Sequence, residues 1–335
     1  MIKKYGPALL GLAVSAGFLF LALRNVSLAQ LAEAAAQVKL FWLGPMVLVV
    51  LIDLFVRTVR WRFLLSGARD ERGAAVATPL WMLFQLETIG LALNNVLFLR
   101  LGEFARAYLA GLELGVPGVY ALATVLVERA LDIMALLSIF VCAAGYCPDT
   151  VPSGLRLVAG LLVLGLAAGL VLVSAVDRSL ETGGAWVGWL ARAPQGMRDL
   201  VRRLALGSRA LRSWRTALPA AALSLCLWLV DAGIYWLAGR AMSLDPALSY
   251  GRSIVALATA AAASALPTAP GAFGTFEQFI KTLLVSWKVA EPVALAYAGV
   301  VHLLSYLIVT FLGMIFLYQM GHSLGSLGRA VRERA

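Results

Sequence analysis

The residues of this sequence that could do chemistry are charged side chains set inside apolar runs. Arg100, Glu103 and Arg106 stand in Arg100-Leu101-Gly102-Glu103-Phe104-Ala105-Arg106, immediately after an apolar stretch. Glu128, Arg129 and Asp132 lie within the run 119–141, Asp53 and Asp231 within two others, and His302 within the last. Glu277 closes the segment Pro267-Thr268-Ala269-Pro270-Gly271-Ala272-Phe273-Gly274-Thr275-Phe276-Glu277. A charge at the centre of a membrane helix costs about 2.5–3.5 kcal/mol on insertion scales, so residues of this kind are paired, functional or both. Helical spacing puts Glu128 and Asp132 on one face with Arg129 at its edge. An arginine held by carboxylates in a wet cavity is suited to bind and release a phosphate headgroup. The same residues could also form salt bridges that close one helical hairpin against the next helix, and the two roles are compatible. For His302 the spacing favours an interior hydrogen-bonding role, while Lys281, Trp287 and Lys288 read as interfacial anchors.

The elements that position these groups follow from composition. The chain has 335 residues, 61% hydrophobic and 14% charged, with a mean hydropathy of +0.86. Those values exclude an ordinary soluble domain and predict an all-α polytopic membrane protein. Full-length apolar runs fall at 5–23, 41–56, 119–141, 155–176, 216–238 and 293–318, and the first reads as a retained helix rather than a cleaved signal. Arg57, Arg60, Arg62, Arg69 and Arg72 read as a short basic loop, of the kind kept in the cytoplasm. Residues 177–215, with eight arginines against three acids, read as a basic amphipathic arm lying on headgroups.

Two segments do not read as simple crossings. Residues 80–112 are interrupted at Asn94-Asn95, and a full crossing there would put Arg100 and Arg106 outside, against the positive-inside bias. A re-entrant hairpin entering from the cytoplasm restores the parity. In 252–288 the apolar stretches on either side of the Pro/Gly segment are each shorter than the roughly 20 residues a crossing needs. Pro267 and Pro270 lack backbone donors, and Gly271 and Gly274 permit left-handed backbone, so this segment reads as a hairpin entering from outside. Broken backbone at membrane depth survives only where protein buries it or a wet cavity lines it. The expectation is six crossings, two hairpins of opposite polarity and an inverted repeat, with both termini cytoplasmic in a single membrane domain, 1–335.

Three stretches in order, 100–108, Glu128-Arg129 with Asp132, and Pro267 through Glu277, resemble the membrane region of the lysylphosphatidylglycerol synthase/flippase family. The likeness covers nearly the whole chain and implies an integral membrane module of the inner membrane that translocates or handles lipid. The best-known members move an aminoacylated phosphatidylglycerol and add a soluble aminoacyl-transferase domain that this sequence does not contain, so lysyl-lipid synthesis is not expected. His302 departs from the pattern, which places an arginine in that part of the last helix.

These readings combine into a lipid flippase. Arg100, Arg106 and Arg129 would hold an anionic or zwitterionic lipid headgroup, with Glu103, Glu128, Asp132 and Glu277 as counter-charges. Asp231, Pro267, Pro270, Gly271, Gly274 and His302 complete the candidate substrate site. No cofactor, metal or nucleic-acid partner is implied. A homo-oligomer stays open, as does the pairing of Cys142 with Cys147. The alternatives are a non-transporting partner of a lipid-modifying enzyme or glycosyltransferase, and an intramembrane transferase using an acid/base pair such as Glu128 with Glu277.

Overall fold

The computed structural model describes residues 2–69, 74–97, 101–146, 151–182, 194–196, 198, 207–245, 247–266 and 268–323. Arg72, Arg100, Cys147, Pro267, most of the basic arm 177–215 and the tail from residue 324 lie outside the described residues. Among the described residues there is no strand, only an isolated bridge between Arg69 and Ala75. The helices are α1 (Ile2–Leu23), α2 (Leu28–Ala36), α3 (Leu43–Leu64), α4 (Leu80–Val96), α5 (Gly102–Leu114), α6 (Gly118–Tyr146), α7 (Ser153–Thr182), α8 (Trp214–Ala241), α9 (Tyr250–Ser264), α10 (Thr275–Ser286) and α11 (Glu291–Gln319).

Among the described residues four regions are long and apolar enough to cross a membrane: Leu40–Gly67 around α3, Ser153–Leu172 of α7, α8, and α11. The pair α1 and α2, bent by 77° at a break that Ser27 caps, adds a fifth candidate. α6 is as long as α11 but carries Glu128, Arg129 and Asp132. Only 6% of the Ser153–Leu172 window is buried, so α7 turns its leucines outward, as a helix surrounded by lipid does. The chain is an all-α polytopic membrane protein.

α3 corrects one expectation. It runs on through Leu64, so Arg57, Arg60 and Arg62 are not in a loop; Arg57 and Arg60 are buried and Arg62 is exposed. Hydropathy ends the apolar run at Val56 because it scores arginine as polar wherever it points. The helix continues because its inner face, Asp53, Arg57, Arg60, Trp61 and Leu64, follows the i, i+4, i+7 spacing of a single stripe.

The two broken segments fold back as helical hairpins. α4 and α5 are antiparallel, with Gly90 against Arg106 and the Gly102 amide donating to Asn94 Oδ1 at 2.9 Å. Asn94 and Asn95 sit in the last turn of α4, and the reversal follows them. A Cβ on Gly102 would run into the Gly90 carbonyl and Asn94, so only glycine permits this approach. In the other pair, Arg252 near the start of α9 lies over the Trp287 ring beyond the end of α10, 5.5 Å from its centroid, which brings the two ends of that hairpin together. The hairpins open at opposite ends of the bundle: the first beside the α3 terminus and the start of α6, the second beside the end of α8 and the start of α11. Their tips meet on α11. Asn95 Nδ2 donates to Thr310 Oγ1 at 2.9 Å, and Gly271 lies against Tyr306, one turn away.

Two apolar cores stack along the bundle. Met46, Val50 and Leu54 of α3 and Ile139 and Phe140 of α6 belong to one; Trp61 and Leu64 of α3 and Val127 and Leu131 of α6 belong to the other. The charged residues of α3 and α6 occupy the layer between them.

Candidate functional site

Glu128 is the centre of that layer. One carboxylate oxygen accepts from Arg60 Nη2 at 2.8 Å and the other from Arg106 Nη2 at 2.7 Å, and Glu128 has no exposure to solvent. Arg60 also donates to Asp132 and, at 3.0 Å, to Ser224 Oγ of α8. Arg106 turns its second nitrogen to Glu87 of α4 and lies 4.4 Å over the Trp61 ring, whose indole nitrogen donates to Thr124 Oγ1 at 3.1 Å. Five helices, α3, α4, α5, α6 and α8, thus converge on two guanidinium groups. The planar fork of arginine is what allows each to serve two carboxylates.

Arg57 extends the layer along α3, paired with Asp53 at 2.7 Å and stacked near Trp228. Asp231 of α8 lies at the level of Asp53: Gly233 is opposite Val49 and Ser224 is bonded to Arg60, which fixes the antiparallel register. Among the described residues Asp231 makes no hydrogen bond or ion pair. Arg129 is the open edge. Its side chain is 30% exposed, with Nη2 at 3.2 Å from Glu128 and 3.1 Å from Asp132, and Nε at 3.8 Å from Glu103. Four guanidinium groups (Arg57, Arg60, Arg106, Arg129) therefore face six carboxylates (Asp53, Glu87, Glu103, Glu128, Asp132, Asp231).

The layer brings together Glu103, Arg106, Glu128, Arg129, Asp132 and Asp231 among the residues expected from the sequence. It adds Arg57, Arg60, Glu87 and Ser224, which sequence reasoning missed. Asp53 and Arg57 at i, i+4, with Arg60 one turn further on, were the available signal. Glu87 is a lone acid within 80–96 and was equally visible.

Glu277 and His302 are not in this layer. Glu277 Oε1 lies 2.6 Å from His302 Nδ1, and its Oε2 accepts from the Gly274 amide at 2.6 Å, capping α10. Among the described residues Glu277 balances no arginine, and no hydrogen bond or ion pair joins it to Glu128. Gly274 has φ +86° and its Cα abuts the α1 backbone at Ser15 and Leu19; Gly271 has φ +73°. Pro270 opens the short turn Pro270–Ala272, and the Ala269 amide donates to Ser15 Oγ at 2.9 Å. Lys281 is not an interfacial anchor. It is buried, donates to the Ala22 carbonyl at 3.0 Å and pairs with Glu291 at 2.7 Å, and Trp287 is buried as well.

A cavity of about 520 Å³ lies at the end of the bundle where α3 stops and α6 begins, lined by Ser66, Arg69, Tyr120, Arg209, Ser213 and Thr216 among others. Tyr120 is two turns along α6 from Glu128. Among the described residues no group of three or more His, Cys, Asp or Glu side chains could hold a metal ion.

No curated protein and no solved structure shows significant similarity to the chain. The model of one family, described as the lysylphosphatidylglycerol synthase TM region, matches residues 8–313, a span that contains both hairpins, the charge layer and the Glu277–His302 pair. The chain belongs to the lysylphosphatidylglycerol synthase TM region family.

Proposed function

We propose that this chain moves a polar-headed membrane lipid between the leaflets of the cytoplasmic membrane. The observation that carries the reading is a buried layer of arginines and carboxylates, open at Arg129 and Glu103, in a bundle whose outer surface is apolar. A layer kept only for stability has no need of an open edge, since buried ion pairs are often no better than well-packed apolar residues. Arg129, with Glu103 beside it, is the group that a headgroup would meet first, and Arg60 and Arg106 lie behind it. The six carboxylates favour a headgroup that carries a positive charge beside its phosphate. The tails would stay in lipid.

In this reading α1 and α6 cross the membrane with α3, α7, α8 and α11. The α4–α5 hairpin enters from the basic, cytoplasmic side, and the α9–α10 hairpin enters from the other. Paired broken helices of opposite polarity are the architecture of inverted-repeat transporters, in which one half rocks against the other. The role is transport rather than catalysis.

The test is leaflet transfer by the purified protein in proteoliposomes, read by quenching of NBD-labelled phosphatidylglycerol and phosphatidylethanolamine. Transfer above the protein-free rate that is lost in Arg129→Ala is the expected result. Protein-free rates with both probes would instead favour a second reading, a non-transporting partner of a lipid-modifying enzyme. The engagement of Arg60 and Arg106 by two carboxylates each is the observation on that side.

A further inference from the structure

The Glu277–His302 pair has no part in the headgroup reading: among the described residues it holds no arginine and touches none of the charge layer. It is nevertheless built with care. The imidazole is enclosed by aromatic rings, Phe276 stacked at 4.4 Å between centroids, Phe273 at 4.7 Å and Tyr306 edge-on at 6.2 Å. Glu277 spends one oxygen on the ring and the other on the Gly274 amide at the break. His302, Tyr306 and Thr310 follow one another at i, i+4, i+8 on α11, the face on which the two hairpin tips meet.

The ligand such a pair can take follows from its donors. A metal would need more than one carboxylate and one imidazole, and among the described residues no third ligand of that kind joins them. Among the described residues a phosphate has no cation to meet there except the imidazolium itself, which the carboxylate already occupies. A proton remains. With Nδ1 committed to Glu277, Nε2 is the nitrogen that can take up or release one.

Among the described residues the surrounding charges are otherwise engaged. On α10, Lys281 is paired with Glu291 of α11. On α9, Arg252 donates to the Ala247 carbonyl and covers Trp287. On α4, Glu87 is held by Arg106; on α3, Asp53 pairs with Arg57 and Arg60 serves Glu128; on α8, Asp231 belongs to the charge layer and Arg240 pairs with Asp245. Glu33 of α2 is exposed, and α1 has no charged residue from 10 to 23.

We infer that Glu277 and His302 form a proton-binding site whose occupancy controls the break between α9 and α10. With the proton bound, imidazolium and carboxylate form a charge-assisted bond that staples α10 to α11, and the ring's charge faces aromatic π-systems that favour it. Release of the proton from Nε2 leaves a neutral donor on Nδ1, a weaker bond and an uncompensated carboxylate in an apolar pocket. The carboxylate then draws water, and its hold on Gly274 slackens. The staple is therefore present while the proton is bound and lost once it leaves. Coupled movement of the hairpin tip follows, because Gly271 packs on Tyr306 one turn further along α11.

The experiment does not depend on which lipid is moved, so it can fail while the transport reading stands, and the reverse. The sequence has only two histidines, His302 and His322, so 15N-histidine NMR of detergent-solubilised His322→Gln reads a single imidazole. Hydrogen exchange of residues 268–277 is followed over the same range, about pH 5 to about pH 9, with correction for intrinsic base catalysis. The expected result is a His302 titration, with exchange at 268–277 rising about tenfold through the same midpoint. Glu277→Gln should leave exchange fast throughout. Should that variant not fold, His302→Gln serves, and its exchange should lose the pH-dependent step. A ring that keeps one protonation state across the range, or exchange that ignores its midpoint, overturns the proposal.

Discussion

Arg60 of α3 and Glu128 of α6, 68 residues apart in the chain, meet at 2.8 Å with neither side chain exposed. Removing one partner of such a pair leaves the other charge buried and uncompensated, a loss of about 3–5 kcal/mol. Arg60→Met should therefore lower the thermal unfolding midpoint in detergent sharply. Arg62→Met, two residues on but exposed, should change stability by less than about 0.5 kcal/mol. Equal effects at the two positions would mean that Arg60 is not sealed in the charge layer.

Arg129 should separate stability from function. Its partly exposed pairs with Glu128, Asp132 and Glu103 are worth at most about 1 kcal/mol, so Arg129→Ala should unfold close to the wild-type temperature. Its leaflet transfer in proteoliposomes should nevertheless fall to the protein-free rate. Full transfer by this variant would remove Arg129 from the headgroup path.

Gly102 lets α5 touch α4. Gly102→Ala introduces a methyl against the Gly90 carbonyl and Asn94, and overpacking of this kind typically costs about 1–3 kcal/mol. Hydrogen exchange should report the opening at the hairpin tip, and faster exchange confined to α4 and α5 is the expected pattern. Unchanged protection there would show that the two helices are not in contact at this point.

The second break should respond in the same graded way. Gly274→Ala combines φ +86° with collision against α1, at a cost of about 1–3 kcal/mol for the backbone alone. Ser15→Ala removes the single hydrogen bond to the Ala269 amide, worth about 1 kcal/mol. Circular-dichroism melts of the two variants give the order; a Ser15 variant less stable than the Gly274 variant would contradict the seating of the break on α1.

Much of this molecule is legible in its sequence, for a physical reason. Bilayer thickness sets helix length, and proline and glycine interrupt helices wherever they occur, so the apolar runs and the position of both breaks can be read from local composition alone. The charges of α5 and α6 are equally visible, because a charge in or beside an apolar run is conspicuous without knowledge of its partner.

Partnership was decided by tertiary structure. Whether an arginine near a helix end belongs to a loop or to a core depends on which face of the helix meets its neighbours, and hydropathy carries no such direction. Arg57 and Arg60 are inside while Arg62 is outside because α3 packs on α4, α6 and α8 along one stripe. Glu277 looked like one more counter-charge for the arginines, and the register of α10 against α11 gave it His302 instead. Local chemistry determined what groups the bundle interior would contain; the packing of the helices determined that they form two centres rather than one.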